Sequence, residues 1–250
     1  MPLYEHDSYL DKDIPYLIST EIVEYDISSA GFNLCRYYKL LPESKLQYLE
    51  SLEKKERQRA LGLLCRDDDT LNENLKKAFV NIRKEFFEAN GIKDSDVLSI
   101  KKDAIFMLRR CHVTEFGNVV FKEKHVYTSY YYLNRKEFYV GERLDVKGIS
   151  DAILSKHDNY MLDFLYKFFK LIETSSRRNC IRELMGFVDA YKAGNLEIGY
   201  YRELNEHSLY RMKESVAGWV VMADTVESID GVDTGYNYIR YIVPLIQVLI

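Results

Sequence analysis

The first clear pattern in the chain is an alternation of apolar and polar positions that ends at an acidic residue. Residues 21–34 read EIVEYDISSAGFNL, alternating as far as Asp26 and then passing into the small residues SSAG. A period of two predicts a β-strand with one buried face, and the small residues indicate where it ends. A carboxylate at a strand tip is either solvated or a metal ligand. Residues further along the chain indicate which of the two applies.

Helical spacing follows this strand. The stretch GFNLCRYYKLL predicts a short helix that ends before Pro42, and residues 43–65 place leucines at helical intervals among strong helix formers. The acidic run RDDDT interrupts the pattern and predicts a helix boundary with an N-cap, after which residues 71–90 resume it. Gly91 is placed to end that second helix.

The period returns to two in the middle of the chain. DVLSIKKDAIFML places two apolar runs around the polar tip KKD, which predicts a β-hairpin with Asp103 at its turn. β-Branched and aromatic residues across 117–141 predict further strands, and residues 150–191 return to helical spacing. This order predicts an α+β fold, with a first body of residues 1–150 and a helical part of residues 151–250.

Composition excludes several classes of protein. The 250 residues are 47% hydrophobic and 30% charged, and the net charge of -4 argues against a protein that coats nucleic acid, although a local basic groove remains compatible with it. Four widely spaced cysteines form no CxxC pair, so reduced thiols and a cytoplasmic location are expected. The chain starts without a secretion signal, and its apolar end YIRYIVPLIQVLI is too short to cross a bilayer, so no membrane role is expected.

The two predicted strand-end aspartates suggest one specific chemistry. Asp26 and Asp103 are separated in sequence by predicted helices, and a sheet would bring them together. Nucleotidyl transfer uses two cations about 4 Å apart, because they activate the attacking hydroxyl and stabilise the departing pyrophosphate. A solvated or helix-capping aspartate is the more frequent case, so the residues around the pair carry the argument.

Two segments near the first aspartate contain residues at distinctive spacings. DISSAGF has Asp26 and Ser29 three positions apart, and KKERQRALG has Lys54 eight positions before Gly62. These segments resemble the D-x-x-S-L-Y motif and the fingers motif K-x-x-x-N-S-x-Y-G of family-B DNA polymerases, especially the compact phage kind, and of polymerase-like phage proteins.

Two later segments resemble the same family in the same order. IKKDAIF keeps Asp103 at the second acidic position of the hairpin motif D-T-D-S. LDVKGISD offers Lys147 and Gly148 in place of a K-x-K-G-like element that contacts the primer-template backbone. The resemblance therefore covers residues 20–150.

The sequence also departs from the family pattern. Gln58 and Arg59 replace the Asn and Ser of the fingers motif, and Leu61 replaces its Tyr. Gly31 stands where the family has an aromatic residue that blocks a ribose 2′-hydroxyl, so sugar discrimination does not carry over. Lys101 replaces the first acid of the hairpin, which leaves one of its two carboxylates.

The resemblance implies a polymerase-like palm sheet with a fingers-like helical hairpin and a thumb-like helical C-terminal part. It implies a nucleotidyltransferase in which Asp26 and Asp103 are catalytic and hold two Mg²⁺ or Mn²⁺ ions, acting on a nucleoside triphosphate and a nucleic-acid end. The residues it assigns to the nucleotide are Lys54, Arg57 and Ser29, and those it assigns to nucleic acid are Lys147 and Gly148.

Other interpretations stay open at this point. A catalytically silent palm relative, acting as an interaction or assembly subunit of a phage complex, is favoured by Lys101 and by the altered fingers motif. An unrelated α+β domain would place Asp26 and Asp103 far apart. Lys54 would then belong to a solvated helix face, and Lys101 and Lys102 would only protect a turn.

Three further features have simpler interpretations. The tyrosines of YTSYYYLN are expected to cover a core rather than to stack on bases. His112 and His125 lack partners at metal-ligand spacing. The apolar run of residues 241–250 is expected to be buried, either in the helical part or by self-association or another protein partner.

Overall fold

The computed structural model describes residues 1–155, 158 and 160–249. They form the α+β fold that the sequence predicted, built from antiparallel sheets and helices. The strands are β1 (Ser8–Leu10), β2 (Tyr16–Leu17), β3 (Ile22–Ile27), β4 (Val97–Lys101), β5 (Ala104–Met107), β6 (Glu115–Phe116), β7 (Val119–Tyr127), β8 (Ser129–Leu133), β9 (Lys136–Val140), β10 (Leu144–Lys147), β11 (Tyr210–Val216) and β12 (Trp219–Ala223). The α-helices are α1 (Ala30–Tyr37), α2 (Glu43–Ser51), α3 (Lys54–Asp67), α4 (Asp69–Asn90), α5 (Asp151–Leu154), α6 (Tyr160–Thr174), α7 (Arg177–Ala193), α8 (Gly235–Asn237) and α9 (Val243–Leu249).

The chain divides into two compact units. The first contains Met1–Asp13 and Glu21–Val126, and the second contains Ile14–Thr20 and Tyr127–Ile250. This division differs from the predicted boundary at residue 150, because β8, β9 and β10 form one sheet with β2 inside the second unit. The second unit is also not purely helical, since β11 and β12 pair within it.

The first unit contains a six-stranded sheet in the order β1-β4-β5-β3-β7-β6. β4 and β5 form the predicted hairpin, in which Lys101 pairs with Ala104 and the turn consists of Lys102 and Asp103. Lys102 adopts a positive φ of 56° there. β3 lies next to β5 with Asp26 opposite Ala104, so the tip of the hairpin lies beside the end of β3.

The alternation in β3 sorts its side chains between two faces. Val23, Tyr25 and Ile27 are buried in an apolar cluster that includes residues of α4 and β5. Burying side chains of this size stabilises a fold by about 1.5–3 kcal/mol each. Glu24 and Asp26 point to the opposite face, because successive side chains of a strand alternate.

The helices of the first unit follow the predicted boundaries at α4 but not at α2 and α3. The Asp68 carboxylate accepts a hydrogen bond from the Leu71 N–H at 3.0 Å, and Gly91 ends α4 with a φ of 58°. The single helix predicted for residues 43–65 is two helices, because Leu52 is extended. The Arg57 guanidinium stabilises this break by donating to the Leu49 and Leu52 carbonyl oxygens at 2.9 Å each.

The second unit packs the four-stranded sheet β10-β9-β8-β2 and α6, α7 and α9 around one core. Tyr131 of β8 stacks on Phe169 of α6 with ring centroids 3.9 Å apart, so the tyrosine-rich strand covers a core, as expected. Tyr241 and Leu245 are fully buried in the same cluster, which places the apolar terminus inside the unit.

Some residues of two predicted segments, Lys156, His157, Asn159 and Ile250, lie outside the described ones. Among the helices that the structure describes, none has the length and apolar character needed to cross a membrane.

Candidate functional site

A cavity of about 300 Å³ in the first unit collects residues from four segments, and we call it the α1–α3 cavity. These segments are the start of α1, one face of α3, part of α4 and the β4–β5 turn. Its lining residues are Ser29, Ala30, Gly31, Phe32, Lys54, Arg57, Gln58, Leu61, Gly62, Cys65, Asn72, Leu75, Phe79, Lys102 and Asp103.

The N-terminus of α1 opens onto this cavity. Ser29 precedes the helix in a left-handed conformation with a φ of 48°, and its carbonyl oxygen accepts from the Asn33 N–H at 3.1 Å. The first turn of a helix leaves N–H groups without intrahelical acceptors and carries the positive end of the helix dipole. Residues 30–32 belong to this turn and line the cavity, so this wall suits an anion.

One face of α3 forms another wall. Lys54, Gln58, Leu61 and Gly62 all line the cavity, as expected for positions separated by about one or two helical turns. Lys55, the next residue along, is exposed and is not among the lining residues. A Cβ added to Gly62 would meet no atom within 4 Å, so this glycine leaves the wall open.

Arg57 lines the same cavity, but its guanidinium is engaged elsewhere. Besides the hydrogen bonds that it donates to the Leu49 and Leu52 carbonyl oxygens, it lies 4.8 Å from the centroid of the Phe32 ring. These contacts fix the junction of α2 and α3 against α1. Among the lining residues, Lys54 and Lys102 therefore carry the positive charges that are best placed to contact a ligand in the cavity.

Of the two predicted catalytic aspartates, Asp26 lies near the end of β3 and Asp103 lies in the β4–β5 turn beside it. The Asp103 carbonyl oxygen accepts from the Ile27 N–H at 3.2 Å, directly beyond Asp26. The backbones that carry the two aspartates are therefore adjacent. Asp103 lines the cavity, whereas Asp26 lies beside it with 31% of its side chain exposed.

The charge environment of Asp26 is unfavourable for its ionised form. Burial raises the pKa of Asp26 above its usual value; Lys124 and Lys54 lower it, while Asp103 and Glu24 raise it further. Lys54 and Asp103 line the α1–α3 cavity, so charges in that cavity affect the pKa of Asp26. A cation bound at this edge would relieve the repulsion between the two aspartates.

Lys124 of β7 is a functional candidate that sequence reasoning missed. Its Nζ lies 3.4 Å from Oε1 of the buried Glu24 and 3.7 Å from Oδ2 of Asp26. Burial lowers the pKa of Lys124, but Glu24 and Asp26 together raise it above its usual value, so the amine stays charged. The only available signal was the i, i+2 spacing of the two acids on one strand face.

Arg83 of α4 is a second missed residue, and it positions the turn that carries Asp103. Its side chain is fully buried and donates to the Lys102 and Tyr4 carbonyl oxygens at 2.8 Å each and to Asp7 Oδ1 at 3.1 Å. Arginine on an amphipathic helix is usually exposed, so its position in the sequence did not indicate this role.

The carboxylates suit a hard cation only in part. Mg²⁺ prefers oxygen ligands and is often held by one or two carboxylates together with substrate phosphates and water. For the residues that the structure describes, neither Asp26 nor Asp103 belongs to a group of three or more His, Cys, Asp or Glu side chains with ligand atoms within 4.8 Å of one another. The pair therefore fits a cation that arrives with a phosphate ligand better than a permanent protein cage.

The predicted nucleic-acid residues lie in the second unit. Lys147 ends β10, and Gly148 follows it with a φ of 101°, a conformation that favours glycine. Their assignment to nucleic acid stays a prediction. A larger cavity of about 1040 Å³, lined by residues of β10 and α6, also lies in this unit and contains none of the predicted site residues.

Comparison with known families gives a match over the whole chain. The family described as Bacteriophage PBS1 gene 130 protein matches residues 1–250, so the chain belongs to this phage protein family. No curated protein matches the chain. The family's description states no activity, and the polymerase resemblance rests on the residue motifs alone.

Proposed function

We propose that this member of the bacteriophage PBS1 gene 130 protein family binds a nucleoside triphosphate in the α1–α3 cavity and transfers its nucleotidyl group to a nucleic-acid end. The observation that supports this most is the convergence of Ser29, Lys54 and Asp103, from three separate segments, on one cavity. The polymerase-like palm is the corresponding interpretation of the sheet. The host-cell cytoplasm is the location that this function requires.

The binding step follows from the walls of the cavity. The helix dipole at residues 30–32 and the ammonium groups of Lys54 and Lys102 favour a phosphate chain. The apolar side chains of Leu75 and Phe79 line the same cavity and suit a less polar part of the ligand. Lys54 stands at the first position of α3, so its backbone is fixed while its side chain is exposed.

The reaction step depends on charge and position. Mg²⁺ or Mn²⁺ bound at Asp26 and Asp103 would supply activation of the attacking hydroxyl and stabilisation of the leaving pyrophosphate. Lys54 neutralises phosphate charge, and Arg83 holds the turn that presents Asp103. Phosphoryl transfer is governed largely by such positioning and charge stabilisation, which is why few protein groups suffice.

A second candidate function is favoured by Lys124. Its ammonium already lies against Glu24 and Asp26, where it satisfies the negative charge that would otherwise attract a cation. A protein with this pairing could bind a nucleotide or a protein partner without catalysis, as a silent palm relative in a phage assembly. Lys101 stands in place of a second hairpin carboxylate, and this also favours a protein that binds without catalysis.

Filling the cavity tests nucleotide binding without touching a charged group. Gly62→Met should weaken binding of ATP with Mg²⁺ by at least about tenfold, because Gly62 lines the cavity and a longer side chain there would occupy open space that a ligand needs. Gly62→Ala is the matched control, since it raises helix propensity but leaves most of the cavity free. Calorimetry measures both, and equal affinity for the two variants would show that the ligand binds elsewhere.

An extension assay separates the two candidate functions. The wild-type protein, a labelled oligonucleotide duplex with a recessed end, nucleoside triphosphates and Mn²⁺ should give longer products, and Asp103→Asn should abolish them. Nucleotide binding without any extension, in Mg²⁺ as in Mn²⁺, would favour the silent relative. Extension that survives Asp103→Asn would contradict the assigned site.

A further inference from the structure

The end of the β11–β12 hairpin exposes a group of apolar side chains. Val216 is 69% exposed, Trp219 78% and Val220 54%, on both sides of the turn formed by Ala217 and Gly218. Trp219 is the only tryptophan of the chain. Single exposed apolar residues are ordinary, but Trp219 and Val220 make the exposed start of β12 entirely apolar.

β12 is an edge strand without the usual protection against pairing. Its sheet has two strands, so no further strand in the described part of the chain covers its outer side. Its five residues, WVVMA, include neither a charge nor a proline. Natural edge strands normally carry lysine, proline or a bulge, because an open row of N–H and C=O groups recruits other strands.

The hydrogen bonds of β11 show which backbone groups of β12 face outward. The Asp233 N–H donates to the Arg211 carbonyl oxygen at 2.7 Å, from a segment that bridges to β11 at Met212 and Val232. Arg211 therefore directs its backbone groups away from β12, and Met222, its partner across the hairpin, directs its own toward the outer edge. The direction of the backbone groups alternates along an antiparallel strand, so the N–H and C=O groups of Val220 also face the outer edge.

We propose that β12 pairs antiparallel with β12 of a second copy of this chain, about a two-fold axis at Val221. In this register Val220 and Met222 face each other across the two copies and exchange their outward N–H and C=O groups. The large Trp219 lies opposite the small Ala223, so the side chains are complementary on that face. This self-complementarity favours a second copy over an unrelated strand, and a two-fold axis makes both patches identical.

Sedimentation velocity of the full chain over a range of concentrations tests the proposal, with the fluorescence of Trp219 as a second readout. The wild type should form dimers as concentration rises, with a blue shift of the emission as Trp219 leaves water. Val221→Lys should weaken the dimer at least about tenfold, because it places two like charges opposite each other at the axis. Val220→Pro should also weaken it, because it removes an outward donor while edge strands tolerate proline.

Val216→Lys is the control, since it adds the same charge at an exposed position on β11, the strand that does not enter the proposed pairing, and should change the dimer constant less than about twofold. Circular dichroism verifies that each variant keeps its fold. Monomers at every concentration, or equal losses for Val216→Lys and Val221→Lys, would overturn the proposal. A blue shift that requires single-stranded DNA or anionic phospholipid vesicles would also overturn it, and would assign the hairpin to that ligand.

Discussion

At the scale of single residues, the behaviour of the candidate site depends on how its charges are balanced. Lys124 partly neutralises Glu24 and Asp26, while Asp103 adds negative charge from the neighbouring turn. Lys54 supplies positive charge from α3. Removing any one of these charged groups therefore changes the electrostatic environment of the others. The predictions for single residues use this coupling.

Lys54 and Lys55 provide a matched pair for testing the nucleotide. Lys54→Ala should weaken ATP binding by at least about tenfold, because a hydrogen bond to a charged phosphate is lost. Lys55→Ala should change it less than about twofold, since Lys55 does not line the cavity. A competition assay with a fluorescent nucleotide compares the two, and equal effects would return both lysines to a solvated helix face.

Asp26 should make the protein less stable as pH rises. Burial raises its pKa, so the native state holds the proton more tightly than the unfolded chain does. Its contribution to stability is therefore present in acid and is lost as pH rises from the usual aspartate range through the raised pKa. Asp26→Asn should increase the free energy of unfolding at neutral pH and approach the wild type in acid. Urea titrations across this range measure the difference, and a variant that is less stable at neutral pH would contradict it.

At the scale of secondary structure, local signals were sufficient where caps and periodicity agreed. β3, the β4–β5 hairpin and α4 follow from alternation, the polar turn, Asp68 and Gly91. The break between α2 and α3 depends on hydrogen bonds that Arg57 makes to an earlier helix end, which no local propensity encodes. The β11–β12 hairpin escaped prediction because the register of β11 shifts between Arg211 and Ser215, which interrupts its alternation.

Only part of the candidate site could be predicted from the sequence. The sequence pointed to Asp26 and Asp103 through the predicted ends of their strands, and to Ser29 and Lys54 through their spacing from Asp26 and Gly62. Arg83 could not be predicted, because its role depends on three acceptors from distant segments that only the folded chain assembles.

A substitution of Arg83 tests how α4 and the β4–β5 turn are held together. Arg83→Met should lower the free energy of unfolding by about 3 kcal/mol, because it removes the hydrogen bonds that the buried guanidinium donates to the Tyr4 and Lys102 carbonyl oxygens. Lys84→Met, at the exposed neighbouring position, should change it by less than about 0.5 kcal/mol. Chemical denaturation measures both, and similar values for the two variants would mean that the turn is held by other contacts.

At the scale of the whole molecule, each unit has its own apolar core, and the C-terminal run belongs to the core of the second. Tyr241, Ile242 and Leu245 are fully buried there, so this segment stabilises the unit to which it is attached. A 250-residue chain can bury cores of this kind in two bodies. The sequence predicted the burial but left open whether the same chain or another one provides it.

Leu245 tests this assignment. Leu245→Ala should lower the free energy of unfolding of the second unit by about 2–5 kcal/mol through the cavity that it leaves. Gln247→Ala, at an exposed position of the same helix, should have an effect below about 0.5 kcal/mol. Deleting residues 241–250 should likewise lower the melting temperature. A truncated protein that melts and sediments like the full chain would show that the run is dispensable.

In the proposed function, Asp26 and Asp103 form one cation site at the edge of the α1–α3 cavity. Calorimetric titration with Mn²⁺, in the presence of a non-hydrolysable nucleoside triphosphate, tests it most directly. The wild type and the control Asp94→Asn, whose carboxylate is exposed on a distant turn, should bind with the same affinity. Asp26→Asn and Asp103→Asn should each abolish this binding while circular dichroism shows an intact fold. Unchanged Mn²⁺ binding in both variants would contradict the claim.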